Sequence, residues 1–333
     1  MFNPVKNATL IAGMAWKMSK GKKEWSQQTQ AYIQPYIQQA LTDNDGSLTQ
    51  GVLHKLKDYP LEGLFAAQLM ADLHEYSLSE KAQRHIGFCG AILALGDVFC
   101  DDTNMSYEQV QQMLEEPHQC KANSTIEKLF VAIYKDLLIE LDDKWQVPFH
   151  KALMQGFEAE KQSRFLRDNI SDRKKVNSII QEKGGRSLLI YRSLIRKEMV
   201  SGEEEALWLT GAFTQLIDDV FDLYWDFRKH TQTSATECPD FTELSHQLQE
   251  HFQKMQTAFR TSEFPHDRAY TFLFVFNIFL RGVELYITQL KQLSGIKIQP
   301  ETLLALSEQE IKFKQLSLSN VVAVLPSALS FSY

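Results

Sequence analysis

Strand signal is nearly missing from this chain: no stretch alternates apolar and polar residues beside a hairpin turn, which argues against a β architecture. Cysteine is scarce, four in 333 residues (Cys89, Cys100, Cys120, Cys238). They are scattered with no CxxC or Cys/His ligand spacing, so they read as free thiols in a reducing compartment. Nine histidines show no HExxH spacing, and no GxSxG nucleophile signature occurs. Basic tracts are short and the net charge is −7, so composition does not suggest a nucleic-acid partner. The most apolar run, Ala269 to Leu280, lies between Arg268 and Arg281 and contains Asn277. It is too short to span a bilayer and reads as a core helix. The patch from Thr9 to Trp16 is followed, not preceded, by Lys17, Lys20, Lys22 and Lys23, the wrong order for a secretory signal. A cytoplasmic protein with no integral membrane segment is expected.

What is abundant is helical periodicity, in a chain that is 44% apolar, enough for a large core. Leu61, Leu64, Phe65, Leu69 and Leu73 form a helix-period stripe over 61–76, and 81–100 is longer and more apolar. Ser106 caps the next segment, and Ser124 with Glu127 fits a capping box opening a helix toward Leu141. Further helices are expected over 145–165, 186–199, 202–227, 241–259, 266–292 and 300–315. Breaks fall at 43–46, Glu116-Pro117, Gly184-Gly185, 230–239, Phe264-Pro265 and Gly295, with the polar 230–240 stretch read as a mobile loop. The expected fold is all-α: a single domain over 1–333, with N-terminal helices to about 59, a core over about 60–290, and a C-terminal helix and tail.

Two aspartate clusters close long apolar helical stretches. The first is Asp97-Val-Phe-Cys-Asp101-Asp102, with Asp97 and Asp101 one turn apart. The second is Gln215-Leu-Ile-Asp218-Asp219-Val-Phe-Asp222, and Asp226 extends its i, i+4, i+8 row. Carboxylates at that spacing share a helix face. Such a face is usually solvated or salt-bridged, as Asp142-Asp143 and Glu203-Glu204-Glu205 illustrate. The second cluster has no cation at i+4 of Asp218 or Asp222 and sits among apolar residues, which calls for a partner such as a hard divalent cation. Gly211 and Thr214 keep the same face small farther back.

Lys183-Gly184-Gly185-Arg186-Ser187 stands 35 positions before Asp218. It lacks P-loop spacing, and the adjacent glycines are read as a helix break where Lys183 approaches an anion, or as a plain turn. Arg228 and Lys229 follow Asp226 closely enough to meet a phosphate group. Arg281, inside an apolar helix, needs a partner.

The residues from Gln215 to Asp222 resemble the second aspartate-rich motif, QxxDDxxD, of trans-prenyl diphosphate synthases. Lys183 to Ser187 is similar to the lysine-plus-small-residue element upstream of it. Asp97 to Asp102 looks like the DxxxDD first motif of squalene and phytoene synthases, and the Asp218, Asp222, Asp226 spacing is similar to the metal triad of terpene cyclases. The resemblance is to the class I isoprenoid synthase superfamily, over roughly 60–290. It implies an all-α bundle with a central apolar pocket and three Mg²⁺ ions held between two acidic walls, which bind a prenyl diphosphate. Asp97, Asp101 and Asp102 would hold metal on one wall, and Asp218, Asp219, Asp222 and Asp226 on the other. Lys183, Arg186, Arg228 and Lys229 would contact the diphosphate, and Phe88, Leu93, Phe213 and Gln215 would line the pocket. Ionisation would give an allylic carbocation and pyrophosphate. Two departures bear on the reaction: Asp102 is followed by Thr-Asn-Met-Ser where chain-elongating enzymes carry an arginine pair, and Gly21-Lys22-Lys23 echoes their isopentenyl-diphosphate site poorly. A terpene synthase or cyclase using one prenyl diphosphate is therefore expected. Condensation of two prenyl units is the alternative, a non-catalytic helical binding protein is the reading of another class, and a homodimer is compatible with the sequence.

Overall fold

The computed structural model describes residues 4–101, 105–167, 170, 172–311, 326 and 328–333, without the side chains of 4–6, 8–9, 11–22 and 101. Helices α1 (Pro4–Thr42), α2 (Gln50–Leu73), α3 (Glu80–Asp101), α4 (Tyr107–Glu115), α5 (Thr125–Glu140) and α6 (Asp143–Ser163) come first. A short 3-10 turn (Arg164–Arg167) follows, then α7 (Arg173–Ser193), α8 (Glu203–Phe221), α9 (Leu223–Lys229), α10 (Phe241–Thr261), α11 (His266–Ser294), α12 (Pro300–Leu304) and α13 (Glu308–Ile311). Among the described residues the fold is all-α, and the β pairing there is an isolated bridge between Asp240 and Lys297.

The helix starts are set by local chemistry. The side chains of Thr49, Ser106, Ser124 and Asp240 accept from backbone N–H groups in the first turns of α2, α4, α5 and α10, satisfying donors that lack intrahelical partners. At α4 the capping box is reciprocal, with Gln109 accepting from the Ser106 N–H at 2.9 Å.

Three expectations are corrected. The break at Gly184-Gly185 does not occur: α7 runs through both glycines and ends at Ser193, so the expected helix over 186–199 is its C-terminal part. The segment expected as one helix over 202–227 is two, because Asp222 (φ −91°, ψ 0°) leaves helical geometry between α8 and α9. The hydrogen bonds Asp222 N–H to Asp218 O and Asp226 N–H to Asp222 O, both 2.8 Å, nonetheless carry the i, i+4 spacing past the bend. The 231–238 stretch is no loose loop. Thr233, Ser234, Ala235 and Cys238 are buried, and the Gln232 N–H donates to the Leu166 carbonyl at 2.9 Å.

The chain divides into two compact units. One comprises Met1–Gly13, Gln162–Leu188 and Met199–Tyr333. In it α8, α10 and α11 pack on one another around Leu207, Phe213, Leu248, Met255, Phe274 and Val283, all buried. The other comprises Met14–Lys161 and Leu189–Glu198. There α3 packs against α2 and α5, and a Cβ at Gly90 would lie 2.5 Å from the Pro60 Cα. Glycine is what lets α3 approach α2 at the proline that interrupts the α2 ladder. Helix α11, at 29 residues, is long and apolar enough to cross a membrane by length and composition, with 56% of its most apolar window buried. On that helix Arg281 finds Glu284 at 2.7 Å, one turn on. All four cysteines are free thiols.

Candidate active site

The site in the first unit begins with glycines. A Cβ on Gly184 would lie 2.5 Å from both the Gln215 Cβ and the Gly211 carbonyl oxygen, and one on Gly211 would lie 2.3 Å from the Gly184 oxygen. A Cβ on Gly185 would run into the Trp208 indole at 2.4 Å. The glycine pair is therefore the contact surface through which α7 meets α8 backbone to backbone. That contact brings Lys183 near enough to Asp219 for its charge to favour the ionised carboxylate.

Four aspartates follow from that crossing, in three environments. Asp219 is 4% exposed. It accepts from Gln215 Nε2 and from the Ser234 N–H, each at 3.1 Å. Burial pushes its carboxyl up to about 6, against these two hydrogen bonds and Lys183. Asp218 and Asp222 keep solvent-facing surface, yet Asp222 is ringed closely enough by protein that its carboxyl is raised, with Lys229 opposing. Asp226 is half-buried and pushed up to about 8, first by burial and then by the charges of Asp219, Asp222 and Asp218. A carboxylate crowded by three others and incompletely solvated is short of positive charge.

Sequence reasoning missed Tyr286 on α11. Its ring stacks on Phe221 at 5.2 Å between centroids. Burial and the neighbouring Asp222 hold its hydroxyl at about 12, so it remains a donor at neutral pH. A tyrosine inside an apolar helix carries no signal that singles it out.

The basic residues expected at the diphosphate divide. Lys183 and Lys229 lie within electrostatic reach of the row. Arg228 pairs with Glu308 at 3.2 Å and lies over the Tyr224 and Trp225 rings at 5.8 and 5.3 Å. Arg186 pairs with Glu182 at 2.6 Å, with Glu204 at 3.8 Å. Phe213 is fully buried and packs on Phe252, in the core behind the row.

In the second unit Asp97 lies one turn before the end of α3. Its carboxylate accepts from Lys55 Nζ at 2.6 Å and from the Tyr59 hydroxyl at 3.1 Å. Burial, with Asp97 adding to it, holds the Tyr59 hydroxyl far above its ordinary value, so it stays a donor. Lys55 and Tyr59 are one turn apart on α2, and nothing local in the sequence pairs them with an acid 42 and 38 positions on. The Asp101 side chain and Asp102 lie outside the described residues. Phe88 is buried edge-on to Tyr36 at 5.6 Å, and Leu93 is half-buried.

Among the described residues no three His, Cys, Asp or Glu side chains form a ready-made metal cage. Mg²⁺ seldom uses one: it keeps waters and binds through one or two carboxylates plus substrate phosphates. Hard oxygen donors that raise one another's pKa fit such an ion.

No family model matches the sequence, and no curated protein does. Among solved structures, a geranyltransferase from Legionella pneumophila is similar at 14% identity and a TM-score of 0.46, over 80% of this chain and 98% of that one. A likeness that loose says nothing about function.

Proposed function

We propose that the protein is a Mg²⁺-dependent enzyme acting on a prenyl diphosphate, a terpene synthase or cyclase of the class I isoprenoid type. The observation that carries this reading is the α8–α9 aspartate row with Lys183 held against it by the glycine contact between α7 and α8. Asp218, Asp222 and Asp226 would hold the metal. Asp219, already engaged by Gln215 and Ser234, orients the turn behind them. When bound, Mg²⁺ would neutralise the diphosphate and make it a better leaving group. Lys183 and Lys229 supply mobile ammonium groups for the phosphate oxygens, a role suited to compact point charges. The allylic carbon–oxygen bond breaks, its electron pair leaves with the diphosphate, and the carbocation, cyclised or not, is quenched by loss of a proton to give a hydrocarbon or by capture of a water that then loses a proton to give an alcohol. Asp97 enters the proposal on its motif alone; a cytoplasmic location and a single functional domain enter it on the composition and helical patterning of the sequence.

A second reading is condensation of two prenyl units, which the Gln215 to Asp222 motif favours over the cyclase triad. Incubation with farnesyl or geranylgeranyl diphosphate, each with and without isopentenyl diphosphate, separates the two by product mass. The leading reading expects a hydrocarbon or alcohol from one prenyl diphosphate alone. Products only of added five-carbon units or of head-to-head coupling would establish the second. Asp97→Asn is expected to lower turnover at saturating Mg²⁺ by about 100-fold, the scale of losing one transition-state electrostatic contact; full activity would remove Asp97 from the metal set.

A further inference from the structure

In the first unit the 231–238 turn touches the aspartate row at two places. The chain leaves α9 through His230, left-handed at φ +54°, and the Thr231 N–H then donates to the Asp226 carbonyl at 2.9 Å. Three residues on, the Ser234 N–H donates to Asp219 Oδ2 at 3.1 Å, while Gln215 Nε2 holds Oδ1 at 3.1 Å. Asp219 is buried, so one of its oxygens depends on where a single backbone N–H of this turn is placed.

What places that N–H is Gln232. Its own N–H donates to the Leu166 carbonyl at 2.9 Å. Its side chain spans the backbone of Ile170, Oε1 accepting from the N–H and Nε2 donating to the carbonyl at 3.0 Å. Nε2 also donates to Glu237 Oε1 at 2.9 Å, closing the turn on itself. A carboxamide suits this task because it presents a donor and an acceptor side by side. Bonds between Thr233 and Thr236 shape the turn without placing it, and Arg173 reaches its far end, at the Cys238 sulfur, 3.3 Å away. Leu166 and Ile170 are themselves held by apolar packing with Val176, Ile179 and Ile180 of α7. Lys183 lies one turn past Ile179 on the same helix. Helix α7 therefore sets Lys183 through its glycine contact with α8, and Asp219 through Ile170, Gln232 and Ser234.

We propose that Gln232 is a positioning residue for the aspartate row: it fixes the Ser234 N–H and, through it, the Asp219 carboxylate that sets the end of α8. Its role rests on the metal–diphosphate reading of the row and is exerted through Asp219 rather than on the substrate. With Gln232 removed, the turn loses its hold on Ile170, the Ser234 N–H drifts from Asp219, and the neighbouring Asp218 and Asp222 lose their fixed aim.

The test compares the full-length wild-type protein with Gln232→Leu, which removes all three side-chain bonds without adding charge. Two readouts are taken: the Ser234 amide resonance by ¹H–¹⁵N NMR, and calorimetric titration with Mg²⁺ and inorganic pyrophosphate. The Ser234 amide proton should lie downfield in the wild type, as a donor to a carboxylate does, and move upfield in the variant. The dissociation constant for Mg²⁺ with pyrophosphate should rise about tenfold, the scale of losing one hydrogen bond to a charged group. Should that variant not fold, Gln232→Asn, whose amide is too short to span Ile170, replaces it with the same two changes expected. Where the wild type binds Mg²⁺ and pyrophosphate, a change in one readout without the other overturns the proposal, as does a lower melting temperature with both readouts unchanged. A wild type that binds neither sinks the metal–diphosphate reading instead, and the Ser234 resonance alone then decides whether Gln232 fixes Asp219.

Discussion

At the residue scale, the aspartates of α8 and α9 differ in environment more than in spacing. Asp226 is held at about 8 by burial and by three neighbouring acids. Its folded-state pKa lies above the unfolded one, so the metal-free protein binds an extra proton between about pH 4 and pH 8 and loses stability as pH rises through that window. Asp226→Asn is expected to raise the melting temperature of the metal-free protein at pH 8 by about 2–4 °C. The same change should weaken the stabilisation that Mg²⁺ with pyrophosphate gives. Calorimetry with and without the two ligands checks both halves. An apo melting temperature that drops would mean Asp226 has a compensating partner. Asp219 behaves differently because it is already satisfied by Gln215 and Ser234. The spacing of the acids could be read from sequence. The separation into one orienting and three solvent- or metal-facing groups could not, because Ser234 arrives from 15 positions away.

At the element scale, the glycine pair of α7 decides where Lys183 sits. Gly184→Ala would put a methyl 2.5 Å from the Gly211 oxygen and the Gln215 Cβ, in backbone and first side-chain atoms that cannot swing away. Overpacking of that kind costs about 1–3 kcal/mol, more than the helix propensity that alanine gains. Thermal denaturation should show it, together with loss of Lys183-dependent pyrophosphate affinity. Gly282→Ala on α11 is the control: nothing lies within 4 Å of its Cβ position, so it should be neutral or stabilising by up to about 1 kcal/mol. If both variants melt alike, the close crossing of α7 and α8 is wrong. Adjacent glycines read alone suggest a break; inside an otherwise helical stretch they instead mark close packing. The capped starts of α4 and α5 were legible because their signals are local, Ser106 with Gln109 and Ser124 with Glu127. The bend at Asp222 has no proline or glycine to announce it. Nor does the pinning of the 231–238 turn, which rests on Asp219 and Leu166, have a local signature.

For the whole molecule, two opposed pH dependences meet. His85 is fully buried, its Nε2 3.2 Å from Glu140. Burial holds its imidazole well below the usual 6.5, outweighing the carboxylate. A depressed histidine contributes stability above its unfolded pKa that is lost as pH falls, the reverse of Asp226. In Asp226→Asn the largest opposing contribution is gone, while Asp219, held at about 6, still opposes below that pH, so the melting temperature should fall most clearly between about pH 7.5 and about pH 6. Adding His85→Gln should make that decline shallower, the remainder coming from His251, which burial also holds at about 4; an unchanged slope would place the acid sensitivity elsewhere. The all-α class was legible throughout, since periodicity is spread over hundreds of residues. Partners separated by long stretches of chain, such as Lys55 and Asp97, were not. The central claim is that the α8–α9 aspartates and Lys183 engage a metal-bound diphosphate, and the most direct test is pyrophosphate release from farnesyl and geranylgeranyl diphosphate as Mg²⁺ is varied. The account predicts release by the wild-type protein without a cosubstrate, abolished by chelation and reduced about 100-fold in Asp222→Asn at a melting temperature no lower than that of the wild type. Release that is absent at every Mg²⁺ concentration, or equal in the two proteins, would contradict it.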